Sequence, residues 1–515
     1  MPDDGVERLE SILNRTVTGV KTDFRTPFYG RKTPREEILR DMEKKIGYTE
    51  FEDLTEIEKH EREKVGPYSI QKPFSERADS LDEYWVQHWN PDEAALDHAV
   101  NTVQSLVRLR SLRPLSLETA RDALPSHKNL GLPRASREDK FVDEYLRRAR
   151  SLKSVQEVYP AILFWRGQPQ GQGEAPKQRN VWGMDHVDTI IGGTILYPLL
   201  NTLRRLPQFA AWLGSTYVDE SVTHLLKSAS GRRIISMDYS GFDRSLHAEM
   251  LKLCYDIIAS WFVESADATI HLLNEICATT GIVVPGSIWV GRNGGMPSGH
   301  VLTNMVDTIA NLLAGVYAAY RNGTSLDEYL VLGDDSVYLF GRDVEPEDVS
   351  SAVGELGLES NPEKQFVSTD AVHYLQRWHS MRYEVDGVCR GVHSPYRSAS
   401  GWTGYEHFRS PDEWNHWMDV SRLIMQTENC ANHPEFYTIV RYVRDGDKYL
   451  SMGVDPVTAM KRAGGAEVIR TVLDIASFPF NVKDPDRVNE FETTRVLREL
   501  NAERKAVYVS QPVAE

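Results

Sequence analysis

Val331-Leu332-Gly333-Asp334-Asp335-Ser336-Val337 is the stretch on which the reading of this chain turns. Tyr329 and Leu330 lead into it, and Tyr338, Leu339 and Phe340 lead out. The pattern predicts two strands joined by a tight turn, with Gly333, Asp334 and Asp335 at the tip. Two adjacent carboxylates between apolar strands raise each other's pKa and repel until a cation neutralises them. For an all-oxygen site beside phosphates that cation is Mg²⁺. A solvated hairpin turn has the same composition, so the triplet gains its weight from what lies upstream.

Arg232 to Asp238 reads as a buried strand ending in a carboxylate, followed by a turn from Tyr239 to Asp243. A helix is predicted from Arg244 to Phe262, with Leu246, Met250, Leu253, Ile257 and Trp261 at helical spacing. The loop Gly294-Gly295-Met296-Pro297-Ser298-Gly299 opens a helix from about His300 to Tyr320, which carries Thr303, Asn304, Asp307 and Asn311 along one side. A serine-capped helix would be the plain alternative there. Further upstream, Lys177, Arg179 and Val181 alternate in an extended segment, after Phe164-Trp165-Arg166 and a Gly/Gln linker over 167–173. Bases at that spacing suit a triphosphate, or an exposed basic loop.

The remaining chain reads more simply. A helical pattern covers 92–123, an Arg-rich helix runs from Phe141 to Leu152, and a polar loop spans Ser126 to Pro133. Arg25 to Arg35 is a basic, aromatic loop. Beyond the hairpin come a helix over about 345–356, then Lys364, a strand from Ala371 to Trp378, and a second hairpin at Asp386-Gly387. The chain is mostly helical from Pro395, and its last dozen residues lack periodicity, as a mobile tail would.

Composition excludes some classes of function. A net charge of −16 over 515 residues argues against coating nucleic acid with the whole surface, while leaving room for an internal basic channel. Four scattered cysteines suggest neither a disulfide framework nor a zinc site. No run of about 18 apolar residues occurs, so no transmembrane helix is expected. The acidic start is not a signal peptide, and there is no internal repeat or Gly-x4-Gly-Lys-Ser/Thr phosphate loop.

Asp238-x4-Asp243, Ser298-Gly299-x3-Thr303 and Gly333-Asp334-Asp335, in that order, resemble motifs A, B and C of viral RNA-dependent RNA polymerases. Lys177 and Arg179, with Arg166 before them, resemble the basic motif F, Lys364 the motif D lysine, Leu375 to Trp378 the motif E hairpin, and Asn129 to Pro133 motif G. Gly-Met-Pro-Ser-Gly-His with Thr-Asn-x2-Asp and Gly-Asp-Asp-Ser is most similar to the small double-stranded RNA viruses, picobirnaviruses first and partitiviruses second.

The resemblance implies an α+β right hand of fingers, palm and thumb with an encircled active site, the palm built on a small antiparallel sheet backed by helices. It implies a strap over 1–70 bridging fingers and thumb, fingers over 71–230 and 263–297, palm over 231–262 and 298–385, and thumb with tail over 386–515. Asp238, Asp334 and Asp335 would hold two Mg²⁺ ions, or Mn²⁺ in their place, for in-line displacement at phosphorus. Lys364 would protonate the pyrophosphate. Asp243, Thr303 and Asp307 would sense the ribose 2′-hydroxyl, Ser298 and Gly299 would flex against the nascent base pair, and Lys177, Arg179 and Arg166 would hold the triphosphate. Asp307 stands where many positive-strand virus polymerases carry Asn, and as an aspartate it is expected to accept a hydrogen bond but not to donate one. The expected partners are template and nascent RNA, ribonucleoside triphosphates and a capsid protein, with no membrane. The expected setting is the virion interior or host cytoplasm, and the expected activity is genome replication and transcription with primer-independent initiation. A reverse transcriptase and a non-catalytic RNA-binding viral protein are the competing readings. Asp243 argues against the first, and the intact carboxylates argue against the second.

Overall fold

The structure is a computed structural model that describes residues 1–125, 128–171, 177–472 and 484–510. Ser126 and His127 of the predicted polar loop, and part of the Gly/Gln linker, lie outside the described residues.

The quoted stretch folds as an antiparallel hairpin of strands Leu326–Leu332 and Asp335–Phe340, closed by the pair Leu332 and Asp335. Gly333 at its tip has φ +59°, a backbone state that costs glycine nothing and other residues about 1 kcal/mol. Strand Ile234–Met237, buried along its whole length, pairs antiparallel with Asp335–Phe340, and Phe366–Ser368 closes the other edge. The outcome is a four-stranded, wholly antiparallel sheet.

Helix Thr303–Arg321 backs this sheet, and every residue from Met305 to Ala319 is buried. A helix buried on nearly all sides must also hide its polar residues, and each needs a partner. Asn311 donates from Nδ2 to the Gly333 carbonyl at 2.9 Å and accepts from Ser336 Oγ at 3.0 Å. Thr308 Oγ1 accepts the Gly333 N–H at 2.8 Å. The helix thus grips the hairpin tip by its backbone. A second sheet joins Ala161–Gln168, Lys177–Gly183, Ile282–Val284 and Ser287–Trp289, and its first two strands form an antiparallel ribbon.

Several predicted elements are divided by tertiary hydrogen bonds. The helix expected over 244–262 is a short turn, Phe242–Ser245, and then Ala248–Trp261. At the break, Leu246 accepts the Gly295 N–H at 2.7 Å and Asp243 accepts the Met296 N–H at 2.7 Å through their main-chain carbonyls. The helical pattern over 92–123 is Glu93–Gln104 and Leu117–Ala123, because Arg110 and Ser111 leave it to pair with the carbonyls of Ser260 and Trp261. The strand expected over 371–378 is a hairpin of Ala371–Tyr374 and Arg377–Ser380, with Leu375 and Gln376 both at positive φ. Of the last dozen residues, 504–510 continue helix Glu492–Ser510 and 511–515 lie outside the described residues.

The N-terminal segment joins two cores. Ile12 of helix Asp3–Thr18 packs with Leu132 and Ile162, beside the ribbon. Phe28, Ile38, Leu39, Met42 and Ile46 share a core with helices from Tyr396 to Leu500. Arg35, only 7% exposed, reaches Asp23 and Thr403.

Candidate active site

Strand Ile234–Met237 ends on the pair Met237 and Ser336, so Asp238 leaves the sheet beside the start of strand Asp335–Phe340. Asp334 sits at the adjoining tip. Three acidic side chains, from segments far apart in the chain, are thereby gathered at one end of the sheet. Asp238 and Asp334 face solvent, and Asp335 is half-buried. Protein packed around Asp334 and Asp335 nonetheless excludes part of the water that would screen them. Crowding by protein raises Asp334, and the Asp238 charge raises it further, opposed by Arg179. Asp335 is pushed up to about 7, first by burial and then by Asp334. The group is thus short of positive charge, which is what a cation would supply, and its donors are hard oxygens. Among the described residues no three His, Cys, Asp or Glu side chains converge into a ready-made metal cage. The carboxylates fit ions that complete their shells with phosphate oxygens and water, as Mg²⁺ does.

The ribbon brings the bases. Arg179 acts on Asp334, Asp335 and Asp243, while burial and the Arg179 charge lower Lys177, opposed by Asp238. Lys364, exposed on the turn Pro362–Lys364, is felt by Lys177, as is Arg244, which sequence reading passed over. Arg166 pairs in register with Arg179, but its guanidinium reaches Glu406, with Nε at 3.2 Å. The ribbon is therefore tied at Arg166 to the segment that follows the sheet.

Asp243 and Asp307 form the second carboxyl pair. They share a hydrogen bond. Burial and then the Asp334 charge push Asp243 up to about 6. Burial, followed by the Asp243 charge, holds Asp307 well above the usual carboxylate range. Two carboxyls this close repel when both are ionised, and Asp307, only 4% exposed, is the more strongly raised of the two. A protonated Asp307 would be able to donate to Asp243, as the amide of an asparagine would.

Ser298 does not cap the helix. Its hydroxyl donates to the Asn180 carbonyl and accepts the Trp182 N–H, both at 3.3 Å, so the loop is pinned to the ribbon. Gly299 is packed so closely that a Cβ would lie 1.8 Å from the Trp182 carbonyl oxygen. Thr303 Oγ1 donates to the carbonyls of His300 and Pro297, at 2.7 and 2.9 Å. Thr308 and Arg292, missed in the sequence, hold the tip and the loop. The legible signal for Thr308 was a polar residue repeating three positions before Asn311 inside an apolar helix.

A family model described as "Viral RNA-dependent RNA polymerase" matches residues 59–411. The chain is 29% identical over 465 residues to a potential RNA-dependent RNA polymerase of Human picobirnavirus, covering 87% of this chain and 86% of that one. It is 29% identical over 314 residues to the RNA-directed RNA polymerase of Cryptosporidium parvum virus 1, covering 56% and 57%. The crystal structure of the RNA-dependent RNA polymerase of a human picobirnavirus superposes with TM-score 0.80 at 26% identity over 96% of each chain. That likeness carries the right-hand architecture, with the antiparallel sheet described above as its palm. With a family model spanning well over half its length, this chain belongs to the viral RNA-dependent RNA polymerases, enzymes that work with divalent metal ions.

Proposed function

We propose that the chain replicates and transcribes a double-stranded RNA viral genome by two-metal nucleotidyl transfer and starts new strands without a primer. The observation that carries the site assignment is the meeting of Asp238 and Asp334 at adjoining strand ends, close enough for the Asp238 charge to act on Asp334, with Arg179 opposite.

Asp238 and Asp334 would hold two Mg²⁺ ions, with Asp335 contributing less directly. When bound, the ions would activate the 3′-hydroxyl and neutralise the leaving pyrophosphate. Lys177 and Arg179 bind the triphosphate and add positive charge where negative charge develops. Lys364 delivers a proton to pyrophosphate. Asp243, held by protonated Asp307, accepts from the ribose 2′-hydroxyl beside Thr303, and Ser298 and Gly299 read the nascent pair. Arg166 serves both the triphosphate side of the ribbon and, through Glu406, ring closure. The two-sided packing of residues 1–70 supports their reading as a strap between fingers (71–230 and 263–297) and thumb (386–515), around palm pieces 231–262 and 298–385. A closed ring of this kind suits initiation without a primer. A capsid protein and the virion interior are the partner and setting proposed on the same basis, and no described helix is long and apolar enough to cross a membrane. Family membership leaves the reverse-transcriptase and non-catalytic readings without support.

The test is incorporation of labelled ribonucleotides on a single-stranded RNA template, unprimed, with Mg²⁺ and with a chelator. Asp334→Ala should lower incorporation by several orders of magnitude. Near-normal incorporation by that variant would refute the metal assignment, and a strict primer requirement would refute the initiation mode alone.

A further inference from the structure

The loop 294–303 is held at both ends by buried polar groups that the chemistry does not use. At its start, Arg292, 2% exposed, donates from Nη1 to the carbonyls of Gly294 and Gly295 at 2.6 and 2.5 Å, and from Nη2 to that of Cys277 at 2.6 Å. Its guanidinium lies 4.8 Å over the Trp182 ring. At the other end stands His300, next to Gly299. Its Nδ1 is 2.7 Å from Asp188 Oδ1, and both side chains are wholly shut off from solvent. Its Nε2 is 2.7 Å from the Tyr255 hydroxyl. The second oxygen of Asp188 accepts the Val301 N–H at 3.2 Å. Asp188 belongs to helix His186–Leu203, and Tyr255 to helix Ala248–Trp261. Three elements distant in sequence therefore meet on one imidazole.

An imidazole and a carboxylate are expensive to bury, and well-packed apolar groups would join two helices at lower cost. What the polar triad adds is direction. A ring with a fixed partner on each nitrogen has one orientation, and its donor and acceptor ends are not interchangeable. The His300 main chain is equally engaged, since its carbonyl accepts the Thr303 hydroxyl. A shift of His300 thus moves Thr303 on one side and Gly299 on the other.

We infer that His300 is a positioning residue of this polymerase, which through Asp188 and Tyr255 sets the loop that reads the incoming nucleotide. This rests on the reading of Ser298 and Thr303 as nucleotide contacts. His300 touches no substrate. It fixes where those contacts stand, and a displaced contact weakens nucleotide binding more than it slows the chemical step.

The experiment measures steady-state kcat and KM for ribonucleotide incorporation, with a thermal melt of every protein, for His300→Asn, His300→Gln, His300→Ala, Tyr255→Phe and Ser298→Ala. Asparagine places an N–H donor where Nδ1 stands and keeps the close contact with Asp188, whereas glutamine reaches toward Tyr255 only. The expected result is a KM raised about tenfold in His300→Ala and His300→Gln, about threefold in Tyr255→Phe, and within about twofold of the parent in His300→Asn, with kcat moving less than KM. A role confined to folding predicts something else: lower melting temperatures and a lower kcat from lost active protein, at unchanged KM. That pattern would overturn the inference, as would His300→Asn and His300→Gln behaving alike. If His300→Ala does not fold, the Asn and Gln pair decides. If Ser298→Ala raises KM while the His300 variants do not, the inference alone fails. If Ser298→Ala also leaves KM unmoved, the nucleotide reading of the loop fails with it.

Discussion

Replacing Asp335 with asparagine should stabilise the metal-free protein while impairing its chemistry. The half-buried Asp335 carboxyl is held up from 3.8 to about 7 by burial and by the neighbouring Asp334 charge. A raised carboxyl binds its proton more tightly in the folded chain than in the unfolded one, so stability falls as pH rises from 3.8 to about 7 and then levels off. At about 1.4 kcal/mol per pH unit the full penalty approaches about 4 kcal/mol. Solvent screening of a half-exposed side chain reduces it to about 2 kcal/mol. The asparagine amide carries no charge at any pH and escapes this loss. Thermal melts of both proteins in chelator, from pH 4.5 to 8.5, should therefore coincide at the acid end. They should diverge to a gain on the order of 3 °C for Asp335→Asn at pH 8. Adding Mg²⁺ at pH 8 should raise the parent's melting temperature more than the variant's, narrowing the gap. A variant no more stable than the parent at pH 8 in chelator, or a gap independent of pH, would refute the claim that these carboxylates repel one another in the folded chain.

Other outcomes follow from the same geometry. Asp307→Asn should retain discrimination between ribo- and deoxyribonucleotides, because the amide donates to Asp243 as the protonated acid does, whereas Asp307→Leu and Asp243→Ala should relax it. Competition between the two triphosphate types on one template measures this, and equal selectivity in all three variants would count against the shared proton. Asn311→Leu leaves the Gly333 carbonyl and the Ser336 hydroxyl buried without their bonds and should cost about 2–4 kcal/mol in stability by denaturant titration. Glu406→Ala removes the Arg166–Glu406 ion pair and should weaken unprimed synthesis more than extension of a supplied primer; equal losses in the two assays would argue against the ring-closing role.

Much of the candidate site was legible because the proposed chemistry needs unusual residues in conspicuous places. Asp334 and Asp335 stand between apolar strands, Asp238 ends a run of buried-strand residues, and Lys177 and Arg179 alternate in an extended segment. Each is a local signal, readable from nearest neighbours and periodicity. What could not be read were partners brought in from elsewhere in the chain. Periodicity carries Arg244 to Phe262 as one helix, yet the bonds from Gly295 and Met296 break it, and that break seats Asp243 beside the loop. Asp307 looked like a simple acceptor, because its proton depends on burial and on Asp243, far upstream in the chain. Asp188 and Tyr255 were silent in the sequence, and His300 stood in a quoted motif without a role, since a buried polar group declares its purpose only through what it touches.

The chain's order of side chains was thus enough to specify the hairpin, its acidic tip and the class of chemistry, because these rest on interactions between residues close in sequence. The upward shift of Asp307, the diversion of Arg166 to Glu406 and the seating of the loop on His300 were decided by the tertiary fold alone. Solvent exclusion and long-range hydrogen bonds set charge and orientation there, and both exist only once distant segments have packed.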